Sequence, residues 1–188
     1  KRSVLTALQD QFRARDTGKT YTALVLGAWP DKLKVIDVPL HKYLKADGER
    51  RVRASSVDDE QAKRSITLVK VVQRFAGFTL LDVSSKTGRT HQIRVHLAHE
   101  GHPIVGDDKY GDFELNRALA RQGVKRLFLH ARRLGLKHPV DGKAMKFEAN
   151  VSRRARDAIG SRPGHANAGR PSEPLERSRT VSPSPRPW

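Results

Sequence analysis

The chain has 188 residues, enough for one domain with its own core, and it carries 37 Lys and Arg against 20 Asp and Glu, a formal net charge of +17. This charge favours a polyanionic partner, and nucleic acid is the first candidate. The lack of cysteine excludes disulfides, Cys-ligated zinc, iron–sulfur clusters and a thiol nucleophile.

The first predicted element is an amphipathic helix at the start of the sequence. Val4, Leu5, Leu8 and Phe12 recur at helical spacing, and the pattern ends near Asp16, before a glycine. We expect this helix to pack on the rest of the protein. The same stretch has no signal-peptide pattern, so we expect a cytoplasmic setting. The sequence has no run of about 18 apolar residues, so we do not expect a membrane partner.

Strand-like segments follow in the middle of the chain. In "KTYTALVLG", period two places Tyr21 and Ala23 on one face and Thr22 and Leu24 on the other, which predicts a central strand. Further strands are predicted in "KVIDVPL", "ERRVRAS", "AKRSITLVKVVQRF" and "FTLLDVSS", with turns at 47–48 and 76–77. These segments together predict an antiparallel β region.

Two helices and a hairpin are predicted beyond this β region. Residues 89–100 lack a helix breaker, which predicts a helix with Thr87 near its N-cap. A second helix is predicted in "DFELNRALARQG", and a closing hairpin in "RLFLHARRLGLKHP" and "KAMKFEAN". The expected class is therefore α+β, with a mixed, mainly antiparallel sheet and flanking helices, over residues 1–150.

The composition changes near Val151. From there to Trp188 the chain holds six of its ten prolines and eight arginines against three acidic residues, with few large apolar side chains. Such a segment cannot bury enough apolar surface to offset the entropy of ordering it. Residues 151–188 are predicted to be a disordered basic tail.

The densest group of polar side chains lies within "GRTHQIRVHLAHEGHPIVGDDKYGD". In the predicted helix, His91, Arg94, Val95 and Ala98 share one side. An arginine beside a core is costly unless a carboxylate or phosphate pairs with it, which favours a fixed anionic partner for Arg94. The alternative is that its guanidinium reaches water along the flank of the helix.

The histidines of this stretch raise the question of a metal site. His96 and His99 have the spacing of a helical metal pair, but no carboxylate on the same face completes a site. We therefore expect no metal, and we expect His91, His96, His99 and His102 to bond the backbone or to contact RNA.

Three other residues carry open alternatives. Asp107 and Asp108 are either an acid–base pair or, as is commoner for a Gly-Asp-Asp turn, an Asx-type loop. Tyr21 is either a core aromatic or, if its strand faces the same cleft as Arg94, a platform for a stacked base. Neither a GxxxxGK[ST] loop nor a strand-anchored GxGxxG occurs, so nucleotide cofactors are not expected.

At this point the sequence resembles a known family. "TGRTHQIRVHLAHEGHPIVGDDKYGD" is similar to a signature of the RluA/RluC family of RNA pseudouridine synthases, and "GKTYTALVLG", "RLFLHARRLGLKHP" and "MKFEA" match that family in the same order. The resemblance spans residues 1–150. It implies the pseudouridine synthase fold and the isomerisation of uridine in RNA, with 23S-type ribosomal RNA as the expected substrate. No cofactor or metal is implied, and we expect a monomer.

The resemblance also implies roles for individual residues. The uridine is flipped into a cleft, its N-glycosidic bond is cleaved and its C5 is joined to the ribose, a reaction that begins with a catalytic aspartate. Arg94 matches the arginine that pairs with that aspartate, and Tyr21 matches the active-site tyrosine. Arg89, His91 and Gln92 are expected to bind RNA or to position the loop.

The sequence departs from the family at the aspartate itself. That residue belongs to a His-Arg-Leu-Asp type segment upstream of the helix matching residues 1–15, and no such segment occurs here. Neither Asp107 nor Asp108 lies in the matching place. We therefore expect a catalytic domain cut after its nucleophile, inactive alone, with Arg94 lacking its counter-charge. The competing hypothesis is a noncatalytic RNA-binding or ribosome-associated protein.

Overall fold

The computed structural model describes residues 2–14 and 17–150, so the predicted tail from Val151 onward lies outside the described residues. These parts contain three helices, α1 (Arg2–Ala14), α2 (Gln92–His99) and α3 (Phe113–Arg121). The strands are β1 (Gly18–Leu26), β2 (Val35–Asp37), β3 (Leu40–Leu44), β4 (Arg50–Ala54), β5 (Ile66–Phe75), β6 (Phe78–Ser85), β7 (Leu129–Lys137) and β8 (Ala144–Glu148).

Antiparallel pairing joins six of these strands into one sheet. Their order is β2-β5-β6-β1-β7-β8, which places β1 in the interior, as its sequence predicts. Strands β5 and β6 form a hairpin through the turn at Ala76 and Gly77, where Gly77 has φ 77° and so supplies the left-handed conformation that the turn needs. The α+β class with a mainly antiparallel sheet is confirmed.

The alternation of side chains along β1 separates two hydrophobic clusters, one on each side of the sheet. Ala23 packs in a cluster with Ile93 and Leu97 of α2. The neighbouring Leu24 points the other way and packs with Leu119 of α3. Since each large aliphatic side chain contributes about 1.5–3 kcal/mol when fully buried, these two clusters hold α2 and α3 against opposite faces of the sheet.

The remaining two strands form a hairpin of their own, which we call the β3–β4 hairpin (residues 40–54). Its base is anchored by Leu40 and Val52, which pack against Val95 of α2 and against Tyr110. Its outer end is exposed, with Leu44 at 67% of its full accessibility. The hairpin therefore packs on α2 at its base, and side chains at its outer end are exposed.

The predicted strand "KVIDVPL" is divided between these two sheets. β2 ends at Asp37 and β3 begins at Leu40, with Pro39 between them. A proline has no N–H to continue a strand ladder, so the chain leaves the large sheet there and enters the hairpin. The strand character of residues 41–44 was not predicted; these residues pair with β4.

Helix α1 forms as predicted, but it packs on the rest of the protein less than expected. It forms where the apolar spacing indicates, but none of its residues is buried, and Leu5 and Phe12 are 57% and 41% exposed. Its specific contact is made by Gln11, whose amide exchanges two hydrogen bonds of 2.8 Å with the backbone of Lys137. Across the described ranges, no helix is long and apolar enough to cross a membrane.

Candidate active site

Helix α2 begins with an abrupt turn of the backbone at His91. This residue is the N-cap and has φ 50°, and it is the only non-glycine residue with a positive φ among those the structure describes. The helix therefore begins at Gln92, and the prediction of an N-cap near Thr87 is wrong. The Thr87 hydroxyl instead bonds the Gln92 side chain and accepts the backbone N–H of Ile66.

Gln92 fixes the loop that precedes α2. It is only 2% exposed, and its amide donates to the Ile66 carbonyl at 2.9 Å and to the Thr67 hydroxyl at 3.0 Å. Its carbonyl oxygen accepts from the Thr87 hydroxyl and from the backbone N–H of Arg89, both at 2.8 Å. These four hydrogen bonds fix the loop against β5.

Arg94 lies in a fixed ion pair with Asp107. Its Nε donates to Oδ2 at 2.7 Å and its Nη2 to Oδ1 at 2.6 Å, and Nη2 also reaches Asp108 at 2.9 Å. The Asp107 side chain is 1% exposed and that of Arg94 is 12% exposed, whereas Asp108 is 81% exposed. The fixed anionic partner is confirmed, and the expectation that Arg94 lacks a counter-charge is wrong.

Asp107 also organises the turn that follows it. Its Oδ1 accepts the backbone N–H groups of Lys109 and Tyr110, both at 2.9 Å, which is the Asx-type loop expected as the commoner alternative. Burial raises the pKa of the Asp107 carboxyl, but hydrogen bonds from Arg94, Tyr110 and Lys109 outweigh burial and bring that pKa below its ordinary value. A carboxylate held in this way is a poor proton acceptor at neutral pH.

Glycines on both sides of Asp107 let the backbone approach closely. A Cβ on Gly106, whose φ is 74°, would lie 2.2 Å from the carbonyl oxygen of Arg126. A Cβ on Gly111 would lie 2.3 Å from the Asp107 carbonyl oxygen. Any larger residue at either position would displace backbone, so the turn that holds Arg94 depends on both glycines.

Tyr110 joins this turn to the rest of the site. Its hydroxyl accepts the backbone N–H of Val52 at 3.1 Å and lies 2.9 Å from Nδ1 of His91. Its ring lies 5.2 Å from the Arg94 guanidinium and 5.7 Å from that of Arg51. Sequence reasoning missed this residue, although it stands inside the signature "GDDKYG".

Two other histidines of this stretch, His96 and His102, bond groups of the fold. His96 is fully buried, with Nδ1 2.8 Å from the Thr67 hydroxyl and Nε2 3.0 Å from the Val38 carbonyl. Nδ1 of His102 lies 2.8 Å from the Leu26 carbonyl. Bonding to the backbone, one of the two expectations for these residues, is confirmed for His96 and His102. The described ranges contain no group of three or more potential metal ligands.

Tyr21 and Arg89 are the two other residues that the sequence assigns to the site. Tyr21 is half-buried and packs on the core cluster that contains Ile93, one residue before Arg94. It is thus on the α2 side of the sheet. Arg89 has a buried Nε that finds no hydrogen-bond partner within the described part of the chain.

An open groove lies beside this site, between the β3–β4 hairpin and the loop before α2. Its volume is about 510 Å³. Its walls are formed by Lys42, Tyr43, Leu44, Arg50, Arg51, Val52 and Thr90. Lys42 and Arg50 form no ion pair with any described residue. The groove is therefore positively charged, with an aromatic and a leucine side chain exposed in it.

Three charged residues tie the hairpin to the Asp107 turn. Glu49 accepts hydrogen bonds from Lys109 and, at 2.9 Å, from Nε of Arg51, and Arg51 also donates to the Lys109 carbonyl at 2.5 Å. These two side-chain bonds lower the pKa of Glu49 to about 2. The hairpin thus docks on the turn through ion pairs as well as through Val52.

The Glu49 ion pairs predict a pH dependence of stability. A carboxyl whose folded-state pKa is lowered from 4.5 to about 2 stabilises the fold above pH 4.5 and loses that contribution as the pH falls toward 2. Glu49→Gln should therefore flatten the fall of the urea unfolding midpoint across that window. Glu60→Gln, which changes an exposed carboxyl, should retain the wild-type profile. Parallel profiles for wild type and Glu49→Gln would contradict the prediction.

Comparison with known proteins places this arrangement in a family. The family model described as RNA pseudouridylate synthase matches residues 1–99. Ribosomal large subunit pseudouridine synthase C of Yersinia pestis is 44% identical over 159 residues, which are 85% of this chain and 48% of that protein. The protein of the same name from Escherichia coli K12 is 47% identical over 151 residues, 79% of this chain and 46% of that protein. The chain spans about half the length of these curated relatives.

Solved structures agree on the fold. Human RNA pseudouridylate synthase domain containing 4 superposes with a TM-score of 0.65 at 22% identity, over 85% of this chain and 67% of that one. Human RNA pseudouridylate synthase domain containing 1 gives a TM-score of 0.63 at 26% identity, over 78% and 59% of the two chains. With the family match over more than half of the sequence, the chain belongs to the RNA pseudouridylate synthase family.

Proposed function

We propose that this chain supplies most of the catalytic domain of an enzyme that converts uridine to pseudouridine in large-subunit ribosomal RNA. The observation that carries the proposal is the Arg94 guanidinium, which Asp107 fixes within the family's signature. The relatives named ribosomal large subunit pseudouridine synthase C support the substrate. Residues 1–150 would form the domain, with the tail as an accessory. A monomer in the cytoplasm, without metal or cofactor, is part of the proposal.

The proposed reaction assigns a role to Arg94. Asp107 engages its Nε and Nη2, and no described residue bonds Nη1, so one end of the guanidinium is available to a second anion. That anion would be the catalytic aspartate, which attacks or abstracts a proton as the N-glycosidic bond breaks and the base rejoins through C5. Asp107 would keep the arginine oriented throughout.

The remaining residues of the proposed site would bind the RNA. Tyr21, on the α2 side of the sheet, would stack on the flipped uracil. Lys42 and Arg50 would neutralise phosphates in the groove. Arg89 and His91, in the loop that Gln92 holds, would contact the nucleotides next to the target.

The 188-residue polypeptide alone is proposed to be inactive. Its sequence contains no His-Arg-Leu-Asp segment, and Asp107 is already committed to Arg94 and to two backbone amides. Neither Asp107 nor the exposed Asp108 is proposed as the nucleophile. A noncatalytic RNA-binding or ribosome-associated role is the second candidate, favoured by the net charge of +17.

The test is tritium release from ribosomal RNA labelled at C5 of uridine, since release requires loss of the C5 proton. The 188-residue chain is compared with a version extended upstream through an encoded aspartate segment, and both are tested for RNA binding. We expect release from the extended protein to be about 10²–10⁴-fold faster than from the shorter chain. Binding by both without release would favour the noncatalytic role. Release by the shorter chain would overturn the assignment of the missing nucleophile and make Asp107 and Asp108 the first residues to replace.

A further inference from the structure

Tyr110 contacts each of the three parts of the site: the β3–β4 hairpin, the start of α2, and the Arg94–Asp107 pair. We propose that the Tyr110 hydroxyl is a positioning group that couples the seating of the hairpin to the orientation of Arg94. The inference rests on the proposed function only where it concerns turnover.

The hydroxyl connects β4 with the start of α2, two elements that share no other side-chain hydrogen bond among the described residues. It accepts the N–H of Val52, which belongs to β4, and its second partner is Nδ1 of His91, the N-cap of α2. A phenol can accept one hydrogen bond and donate its own proton in another, so the direction that satisfies both runs from Val52 to Tyr110 to His91.

That direction requires a neutral imidazole at His91. Burial lowers the pKa of His91, and the positive charges of Arg94 and Lys109 lower it further. Neutral His91 offers Nδ1 as an acceptor to the Tyr110 proton. The bond also restrains a residue whose backbone is in the left-handed region, where a non-glycine side chain is strained.

The ring of Tyr110 also connects the hairpin with α2. The Arg94 guanidinium lies 5.2 Å from the ring centre and the Arg51 guanidinium 5.7 Å from it, both within the range of a cation–π contact. Arg51 belongs to the hairpin and Arg94 to α2. The backbone N–H of Tyr110 is bound to Asp107, the carboxylate that holds Arg94.

These contacts let the hydroxyl be tested apart from the ring. Tyr110→Phe keeps the ring and its contacts with the two guanidiniums but removes the link between Val52 and His91. Tyr43→Phe is the matched control, because Tyr43 lies on the same hairpin, is 40% exposed and has no hydrogen bond from its hydroxyl to a described residue. Thermal unfolding of each variant checks that it is folded.

The first experiment uses the full 188-residue chain and needs no activity. Hydrogen exchange is measured by NMR at the Val52 amide and at Nε–H of Arg94. Tyr110→Phe should accelerate exchange at both sites by about tenfold, the effect of one lost hydrogen bond, and Tyr43→Phe should accelerate neither. Acceleration at Val52 alone, or at neither site, would overturn the coupling.

The second experiment uses the extended protein in the tritium-release assay. Tyr110→Phe should lower kcat about tenfold and leave KM for RNA within about twofold, because the variant loses orientation of Arg94 and keeps the basic groove. An unchanged kcat would overturn the positioning role. If the wild-type extended protein releases no tritium, the proposed function fails, and the exchange experiment still decides the coupling.

Discussion

Replacing Asp107 with alanine is expected to lower the free energy of unfolding by about 3–5 kcal/mol, the usual cost of removing one partner from a buried ion pair. The reason is that Arg94 would keep its charge at a site where its side chain is 12% exposed, with Nε left without a partner and Nη2 left with the exposed Asp108 alone. The backbone N–H groups of Lys109 and Tyr110 would lose their acceptor as well. Urea denaturation of the 188-residue chain measures the loss.

Asp108→Asn is the matched control for this substitution. Asp108 contacts the same Nη2 atom of Arg94 at 2.9 Å, but it is 81% exposed, and exposed ion pairs contribute about 0–1 kcal/mol. Equal, small losses in both variants would show that the Asp107 pair does not stabilise the fold. If Asp107→Ala does not fold at all, Asp107→Leu combined with Arg94→Met removes both charges and should recover a cooperative transition.

The sheet is the part of the fold that local sequence patterns could predict. The alternation along β1 identifies two apolar faces because a strand with a helix on each side must bury both. The turn at Gly77 is predictable because glycine readily adopts a positive φ. The β3–β4 hairpin was only half predicted, since Leu40 is the one buried residue of β3 and is anchored by contacts with α2 that no local pattern reveals.

The candidate site shows a different limit. Helical spacing indicates that Arg94 needs an anion, but it does not identify Asp107, which lies 13 residues later and across a turn. The positive φ of His91 has no local signal, because positive φ is uncommon even for histidine and no local pattern marks this position. Tyr110 looks like an ordinary loop aromatic until the turn brings its hydroxyl to Val52.

Gln92→Leu is expected to lower the free energy of unfolding by about 2–4 kcal/mol and to weaken RNA binding as well. The substitution keeps the volume of a 2% exposed side chain and removes its four hydrogen bonds. Three of the partner groups retain another bond: the Thr87 hydroxyl to Ile66, the Thr67 hydroxyl to His96, and the Ile66 carbonyl to the backbone. The loss of unfolding free energy should therefore be smaller than the sum for four lost hydrogen bonds.

The backbone N–H of Arg89 is the group that the variant leaves unpaired. It has no second acceptor among the described residues, so the loop that carries Arg89 and His91 should shift to reach water. RNA affinity should fall about tenfold at fixed salt, measured by fluorescence anisotropy. His99→Ala, on the exposed side of the same helix, should change neither quantity. If Gln92→Leu is destabilised but its RNA affinity is unchanged, the loop is not part of the RNA interface, and Gln92 contributes only to the stability of the fold.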